Sequence, residues 1–433
     1  MNRRVPSCDN PVKPGGLAVV VGAATSGDAA ARLLASLGAR VRLLERNAAN
    51  ISSAMRVELE ALGVEILTGA HTPEQFRGAA LVVPSPGVPL KVLRPLMEAV
   101  GGMPVFSEME LASLFVTAPI VAVTGTSGKT TTVSLVAAML REAGKRVFLG
   151  GNIGTPLSQY VLEGQHADVA VLEVSSFQAQ GFSQFHPKVA VLLNITPNHL
   201  DHHESMEEYA DAKFALFARQ TPEDRAIFGP GLEGYVAAHI IRAQQEHFAI
   251  TGRFRAAKLL GNHNQANIEA AFLAVSPFGV TLEQAQRAAA DFEPIEHRLE
   301  LVGEWEGVRY INDSKATTPS ALAVALASMD RPAFLLAGGV FKGGDLVSLR
   351  PLLAEKVKRV ALFGKSREVF TEAWEGAVPL DWFATLEEAM RHVRSLAAAG
   401  DAIVLAPATS SFDLYPNYIA RGVDFKRIAA MLR

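Results

Sequence analysis

The residues best suited to chemistry lie in Gly125-Thr126-Ser127-Gly128-Lys129-Thr130-Thr131. The apolar run Pro119–Val123 before them reads as a strand, and Val133–Ala143 after them as an amphipathic helix. A strand, a Gly-rich turn and a helix start make an anion cradle. Glycines admit backbone N–H groups close to phosphate oxygens, the helix dipole favours negative charge, and Lys129 adds a formal positive one. The Thr130 hydroxyl sits where a Mg²⁺ ligand belongs. This says ATP or GTP without saying which reaction the nucleotide drives. The loop is a shortened form of Gly-x-x-x-x-Gly-Lys-[Ser/Thr], because Val123 stands where the first glycine would be.

Further polar residues cluster at the ends of apolar runs. Glu173 closes the run in VAVLEVSSFQ, a carboxylate well placed to ligate Mg²⁺. In NITPNHLDHH, His199 and Asp201 follow another strand pattern. With no cysteine nearby, oxygen-rich company favours Mg²⁺ with His199 as a ligand over zinc, while His202 and His203 read as loop histidines. Lys213 interrupts the apolar stripe Met206, Tyr209/Ala210, Phe217. Two readings stay open: the side chain snorkels to solvent, or it is buried and functional. A buried neutral lysine can take up CO₂ and become a metal-binding carbamate. In GNHNQAN, Asn264 reads as a helix N-cap, and Asn267 lies one turn on, on the same face. Asp313, Lys315 and Thr317 in NDSKATTP follow the strand pattern Val308–Ile311. Lys342 amid four glycines and the Ser-Ser pair in PATSSFDLYPNY suit carboxylate recognition.

The elements that must position these residues are strands alternating with helices. LAVVVGAATSGDAAARLLASLGARVRLLERN gives strand, turn, helix and second strand, with Glu45 23 residues after Gly22. That is a dinucleotide-type βαβ layout lacking the second glycine, so it reads as a Rossmann-like fold for another nucleotide. Ala80–Val83 is a further strand ending in Pro84-Ser85-Pro86-Gly87, and Glu108–Ala118 reads as a linking helix. Val169–Leu172 and Val189–Leu193 read as buried parallel strands, and Ala333–Leu336, Val360–Phe363 and Ala402–Leu405 as strands of a third open parallel sheet. The fold class is therefore α/β with three domains: a tail at 1–16, then 17–117, 118–296 and 297–433. A length of 433 residues agrees with about 100–200 residues per domain.

Composition narrows the class. A net charge of −3 argues against a nucleic-acid surface, and the single cysteine, Cys8, excludes a disulfide framework or cysteine-based metal site. No apolar run approaches the ~18 residues of a membrane span, and no apolar segment follows the N-terminal arginines, so the cytoplasm is the expected compartment.

Taken together, TGTSGKTTT, GGNIG, EVSSFQ, NHLDHH, AKF, GNHNQAN, EHRLE and NDSKATTP, in this order over nearly the whole chain, resemble the Mur ligases, ATP-dependent amino-acid-adding enzymes of peptidoglycan synthesis. EVSSFQ and DSKAT favour the branch that adds D-glutamate to UDP-N-acetylmuramoyl-L-alanine. A sibling Mur ligase, or folylpolyglutamate synthase, which shares the loop and domain plan, is the same-class alternative; a P-loop ATPase switch is the different-class one. The resemblance implies two Mg²⁺ ions. Thr130 and Glu173 would serve one, and His199 the second, bridged by a carbamylated Lys213. It places Asn264, Asn267, Arg298 and Asp313 on the adenosine and phosphates, with the C-terminal domain closing on ATP and amino acid. Lys315, Thr317, Lys342, Ser411, Phe412 and Tyr418 would surround the acyl end and D-glutamate. Ser26, Glu45, Asn47, Ser85, Gly87 and Asn152 would hold the uridine-bearing substrate. A monomer is expected.

Overall fold

The computed structural model describes residues 11–196, 205–259, 261–293 and 296–433. His199, Asp201, His202 and His203, singled out above, lie outside them. The described chain forms three sheets, divided between two compact units. One unit comprises residues up to Phe254 with Ala266–Ala289, and the other Arg255–Gln265 with Ala290–Arg433.

The first unit holds two sheets. Strands β1 (Leu17–Val21), β2 (Arg40–Glu45), β3 (Glu65–Thr68) and β4 (Ala79–Pro84) pair in parallel in the order β3-β2-β1-β4, the half-Rossmann order. Gly27 belongs to the helix Thr25–Ser36, and a Cβ there would meet the Gly22 carbonyl at 1.9 Å, so only glycine lets the helix approach the strand end this closely. The chain enters the fold before residue 17. Val12 is fully buried in the core, and Gly15 N–H donates to the Gly38 carbonyl, so residues 11–16 are packed rather than a disordered tail.

The second sheet contains β5 (Ile120–Thr124), β6 (Val147–Gly151), β7 (Val169–Glu173), β8 (Val189–Leu192), β9 (Arg225–Phe228) and β10 (Gln244–His247). The order is β10-β9-β8-β5-β7-β6, all parallel. The central strands β5, β7 and β8 are buried throughout, matching their unbroken apolar runs. The helix after β5 spans Lys129–Glu142, not Val133–Ala143: Gly128 at φ 85° caps it, so Lys129 and Thr130 open the helix itself. The linking helix is shorter than its sequence pattern, Glu108–Ser113.

The second unit carries β11 (Glu300–Trp305), β12 (Val308–Asn312), β13 (Ala333–Gly338), β14 (Val357–Phe363), β15 (Leu380–Phe383) and β16 (Ala402–Leu405), in the order β11-β12-β16-β13-β14-β15. This sheet is mixed rather than wholly parallel, because β11 and β12 form a hairpin through Glu306-Gly307 and pair antiparallel. Its central strands are sealed on both faces by two apolar clusters. Among the described residues no helix is long and apolar enough to cross a membrane.

Candidate active site

The Gly-rich loop leaves β5 at the centre of the second sheet, where neighbouring parallel strands turn outward together and ligands gather. Lys129 Nζ donates to the carbonyls of Gly125 and Thr126, both at 2.9 Å. The ammonium is thus folded back over the loop, at the place where phosphate oxygens would meet it. Thr130 Oγ1 donates to Glu173 Oε2 at 2.7 Å, and Asn152 Nδ2 to Glu173 Oε1 at 2.8 Å. Glu173, buried at the end of β7, therefore presents hard oxygen beside the Thr130 hydroxyl, a donor set that fits Mg²⁺. Among the described residues no group of three His, Cys, Asp or Glu side chains converges on one point.

Asn194, directly after β8, clamps the loop. Its Oδ1 accepts from Ser127 N–H at 2.9 Å, and its Nδ2 donates to the Ser127 carbonyl at 3.1 Å. Thr126 Oγ1 lies 3.1 Å from the Tyr209 hydroxyl and accepts from Thr196 N–H. Asn267 reaches the loop as well: a Cβ on Gly128 would come within 2.5 Å of Asn267 Oδ1, which together with its positive φ keeps that position glycine. Asn264 is not an N-cap. Its helix spans Asn262–Val275, placing Asn264 within the first turn, and both amides are buried.

Lys213 does not snorkel. Its residue is 1% exposed, its Nζ donates to the Gly125 carbonyl at 3.1 Å, and the ammonium nitrogen lies 4.4 Å from the centre of the Tyr209 ring. Burial, and then the Lys129 charge, push its pKa down to about 6, so the amine is largely neutral at pH 7. Neutrality is what nucleophilic addition to CO₂ requires.

In the same unit, a cleft of about 780 Å³ brings together Ser26, Glu45, Ser85, Gly87 and Asn152. Ser26 lies in the first turn of a helix, where N–H groups and dipole favour a pyrophosphate. Glu45 is more engaged than a free ribose ligand would be. Its Oε2 accepts from Ala23 N–H, and its Oε1 from Asn47 N–H and Asn50 Nδ2, and these bonds hold its pKa below the usual range against the cost of burial. Asn47 does not line the cleft; its Oδ1 caps the turn Ala48–Asn50, and Asn50 lines the cleft instead.

The second unit assembles the remaining residues around the ends of β12, β13 and β16. His297 (φ 64°) and Leu299 (φ 43°) flank Arg298 in a left-handed backbone costly for branched side chains, and the turn is held by Glu300 Oε2 accepting from His297 N–H at 2.9 Å. Asp313 is buried, and this lifts its pKa to about 7 despite the opposing charges of Arg298 and Lys315. Lys315 Nζ lies 5.8 Å from the Tyr418 ring centre, and Lys342 Nζ 5.0 Å from that of Phe412. Val340 and Ser410 exchange backbone hydrogen bonds, which draws the Lys342 loop against the Ser411 loop. Thr317 is half-buried in the turn beyond Asp313, its N–H donating to the Lys315 carbonyl at 2.8 Å.

Several residues of these sites went unnoticed in the sequence. Arg421 is fully buried: its Nε donates to Ser314 Oγ, and its two Nη atoms to the carbonyls of Ser314, Gly338 and Thr409. An arginine on the apolar side of a C-terminal helix was the available signal. Asn194 carried a similar one, an amide immediately after a buried strand. Tyr209 sat in the stripe with Lys213 and passed for core.

A P-loop with a strand-end carboxylate beside it, on an α/β scaffold with a second nucleotide-type cleft, defines a P-loop nucleotide-binding protein of the α/β class. Residues 123–252 match the Mur ligase middle domain, and residues 297–409 the Mur ligase, glutamate ligase domain. The chain is 57% identical to a UDP-N-acetylmuramoylalanine--D-glutamate ligase of Nitratidesulfovibrio vulgaris, covering 96% of both chains. It is 53% identical to the enzyme of that name from Oleidesulfovibrio alaskensis, over 97% of this chain and 95% of the other. In fold it is similar to MurF ligase from Thermotoga maritima in complex with ADP, with a TM-score of 0.57 at 17% identity, covering 84% of this chain and 96% of that one. The chain belongs to the Mur ligase family.

Proposed function

We propose that this ligase joins D-glutamate to UDP-N-acetylmuramoyl-L-alanine at the expense of ATP, through an acyl phosphate, in the cytoplasmic stage of peptidoglycan precursor synthesis. The names carried by relatives above 50% identity support the substrates. The observation that carries the chemistry is the chain Thr130–Glu173–Asn152: one buried carboxylate bonds both to the P-loop and to a residue of the neighbouring cleft. A group that serves nucleotide and acceptor at once is what phosphoryl transfer between them needs.

A carboxylate is a poor acyl donor, since it is anionic and its oxygen leaves badly. Phosphorylation by ATP supplies a leaving group, and the D-glutamate amine then attacks through a tetrahedral intermediate. Lys129, the loop N–H groups and the helix dipole stabilise the charge on the transferring phosphoryl group. Mg²⁺ at Thr130 and Glu173 would add a second counter-charge. The resemblance assigns a further Mg²⁺ to His199 and a carbamylated Lys213, and the burial and neutral state of Lys213 support the carbamate. Asn264, Asn267, Arg298 and Asp313 take the adenosine and phosphates. Lys315, Thr317, Lys342, Ser411, Phe412 and Tyr418 take the amino acid and acyl end. Ser26, Glu45, Ser85, Gly87 and Asn152 take the uridine diphosphate, with Asn47 shaping the loop. The functional division is 17–117 for the sugar nucleotide, 118–296 for ATP and 297–433 for ATP and the amino acid together, in a monomer.

The test is phosphate release from ATP with UDP-N-acetylmuramoyl-L-alanine and a panel of amino acids. Release should require both substrates, with D-glutamate as the acceptor. Turnover with L-lysine, L-glutamate or meso-diaminopimelate but not D-glutamate would overturn the assignment, as would ATP hydrolysis needing neither substrate.

A further inference from the structure

We propose that the short helix Glu108–Ser113 is the positioning element of the sugar-nucleotide cleft, acting through two buried carboxylates, Glu108 and Glu110, that the ligation chemistry does not use. The proposal rests on the reading of the cleft given above. Neither residue is more than 2% exposed. Each holds a different wall.

Glu108 Oε1 accepts from Ser158 N–H at 2.6 Å. Ser158 lies in the first turn of the helix Leu157–Leu162, whose own N-cap, Pro156, has no side-chain donor or acceptor. The cap is therefore supplied from outside, by Glu108. This helix follows directly on Asn152, Gly154 and Pro156, one wall of the cleft. The same wall is pinned by Met109, since a Cβ on Gly151 would come within 2.9 Å of its Cε.

Glu110 Oε1 gathers the N–H groups of Ser183 and Gln184 and the Ser183 hydroxyl. These residues leave the helix Ser176–Ala179, and Phe177, Gln178, Gln180 and Gly181 line a small cavity that shares Ser85, Pro86 and Val88 with the cleft. Here too the packing is tight: a Cβ on Gly181 would meet Ser107 N at 2.9 Å.

Among the described residues, Oε2 of each acid is buried with no hydrogen-bond partner. An idle buried carboxylate oxygen costs stability, so a purely structural contact would be better served by a neutral side chain. A charged oxygen, however, accepts more strongly from backbone N–H groups than an amide oxygen does, and a single one can hold several in a fixed turn. The helix thus sets the spacing of both walls from one rigid element.

The experiment measures UDP-N-acetylmuramoyl-L-alanine binding by calorimetry, and steady-state KM values, for Glu108→Asp, Glu110→Asp and the two Gln variants of the full chain. Asp withdraws the carboxylate by one methylene, whereas Gln keeps its reach and one acceptor. The Asp variants should weaken sugar-nucleotide binding about tenfold, and the Gln variants, which keep the reach but lose the charged acceptor, about threefold or more, with the KM for ATP within about twofold of the parent. Unchanged binding in the Asp variants, or equal losses for both substrates, would overturn the proposal. Asn152→Ala and Asn50→Ala separate it from the reading it rests on. If these lining variants also bind normally, the cleft is not the sugar-nucleotide site. If they bind weakly while the Asp variants do not, the cleft stands and the positioning role falls. Hydrogen exchange on the parent protein gives a readout independent of variant folding: the amides of Ser158, Ser183 and Gln184 should be protected like core strands, and loop-like exchange would overturn the proposal.

Discussion

The Thr130 hydroxyl donates to Glu173 Oε2 at 2.7 Å, joining the first turn of the P-loop helix to the end of a strand 43 residues on. The bond fixes one hydroxyl and one carboxylate oxygen side by side at the carboxyl edge of the sheet. It lies at the end of the parallel ladder, where Val123 pairs with Glu173.

From this pair, Glu173→Gln should lower kcat by about a hundredfold or more, the scale of losing one preorganised electrostatic contact to a transferring group. The amide keeps the shape and one acceptor, so sugar-nucleotide affinity should change little. The Mg²⁺ concentration for half-maximal rate should rise. Rate against Mg²⁺ for parent and variant checks this, and parallel curves would remove Glu173 from the metal.

Lys213→Ala should abolish ligation, and short carboxylates added to the variant should restore part of the rate by standing in for the carbamate. The pH dependence follows from the depressed pKa of about 6. Above it the amine is neutral and can add CO₂; as pH falls through it, the amine is protonated and cannot. Enzyme stripped of CO₂ at low pH should regain activity with bicarbonate at pH 8 but not at pH 5.5. Full activity of Lys213→Ala would end the carbamate reading.

Much of this arrangement was legible in the chain. Strands β5, β7 and β8 are buried on both faces, so their apolar runs and their terminal residues, Glu173 among them, could be read directly. The fate of Lys213 could not, because helical spacing puts a lysine on a face without saying whether that face is covered. Here Tyr209, and the carbonyl of Gly125 88 residues away, cover it. The antiparallel edge of the third sheet was hidden for a related reason: β11 mixes half-buried and exposed positions with none fully buried, and has no apolar run. Glu45 closes its strand as the pattern reads, but its bonds to Ala23, Asn47 and Asn50 depend on a loop geometry that spacing does not carry.

Burial lifts Glu108 to a pKa of about 6 from an ordinary 4.5. A carboxyl that binds its proton more tightly when folded contributes stability at low pH, and that contribution is lost as pH rises from about 4.5 through 6. The shift corresponds to about 2 kcal/mol. Glu108→Gln, which has no proton to lose, should therefore gain stability relative to the parent between pH 5 and pH 7.5 by about 1 kcal/mol, the rest of the shift falling below pH 5. Urea denaturation of both proteins at the two pH values checks the sign. A difference independent of pH would mean that burial does not raise the Glu108 pKa in the folded protein.

Arg421 ties Ser314, Gly338 and Thr409, three loops that carry the Asp313–Thr317, Lys342 and Ser411 residues, with no carboxylate bonded to it among the described residues. Burial alone drags its pKa down to about 10, still leaving it charged at neutral pH. The guanidinium is retained because its fork can reach several carbonyls at once, which an ammonium cannot. Arg421→Met should cost about 3–5 kcal/mol, since buried carbonyls lose their donor. Arg421→Lys should fold with a smaller loss but raise the KM for the amino acid about tenfold, because one nitrogen cannot hold three loops in place. Denaturation and KM measurements on the two variants check this. A Lys variant with parental KM and parental stability would show that charge, not the shape of the fork, holds these loops.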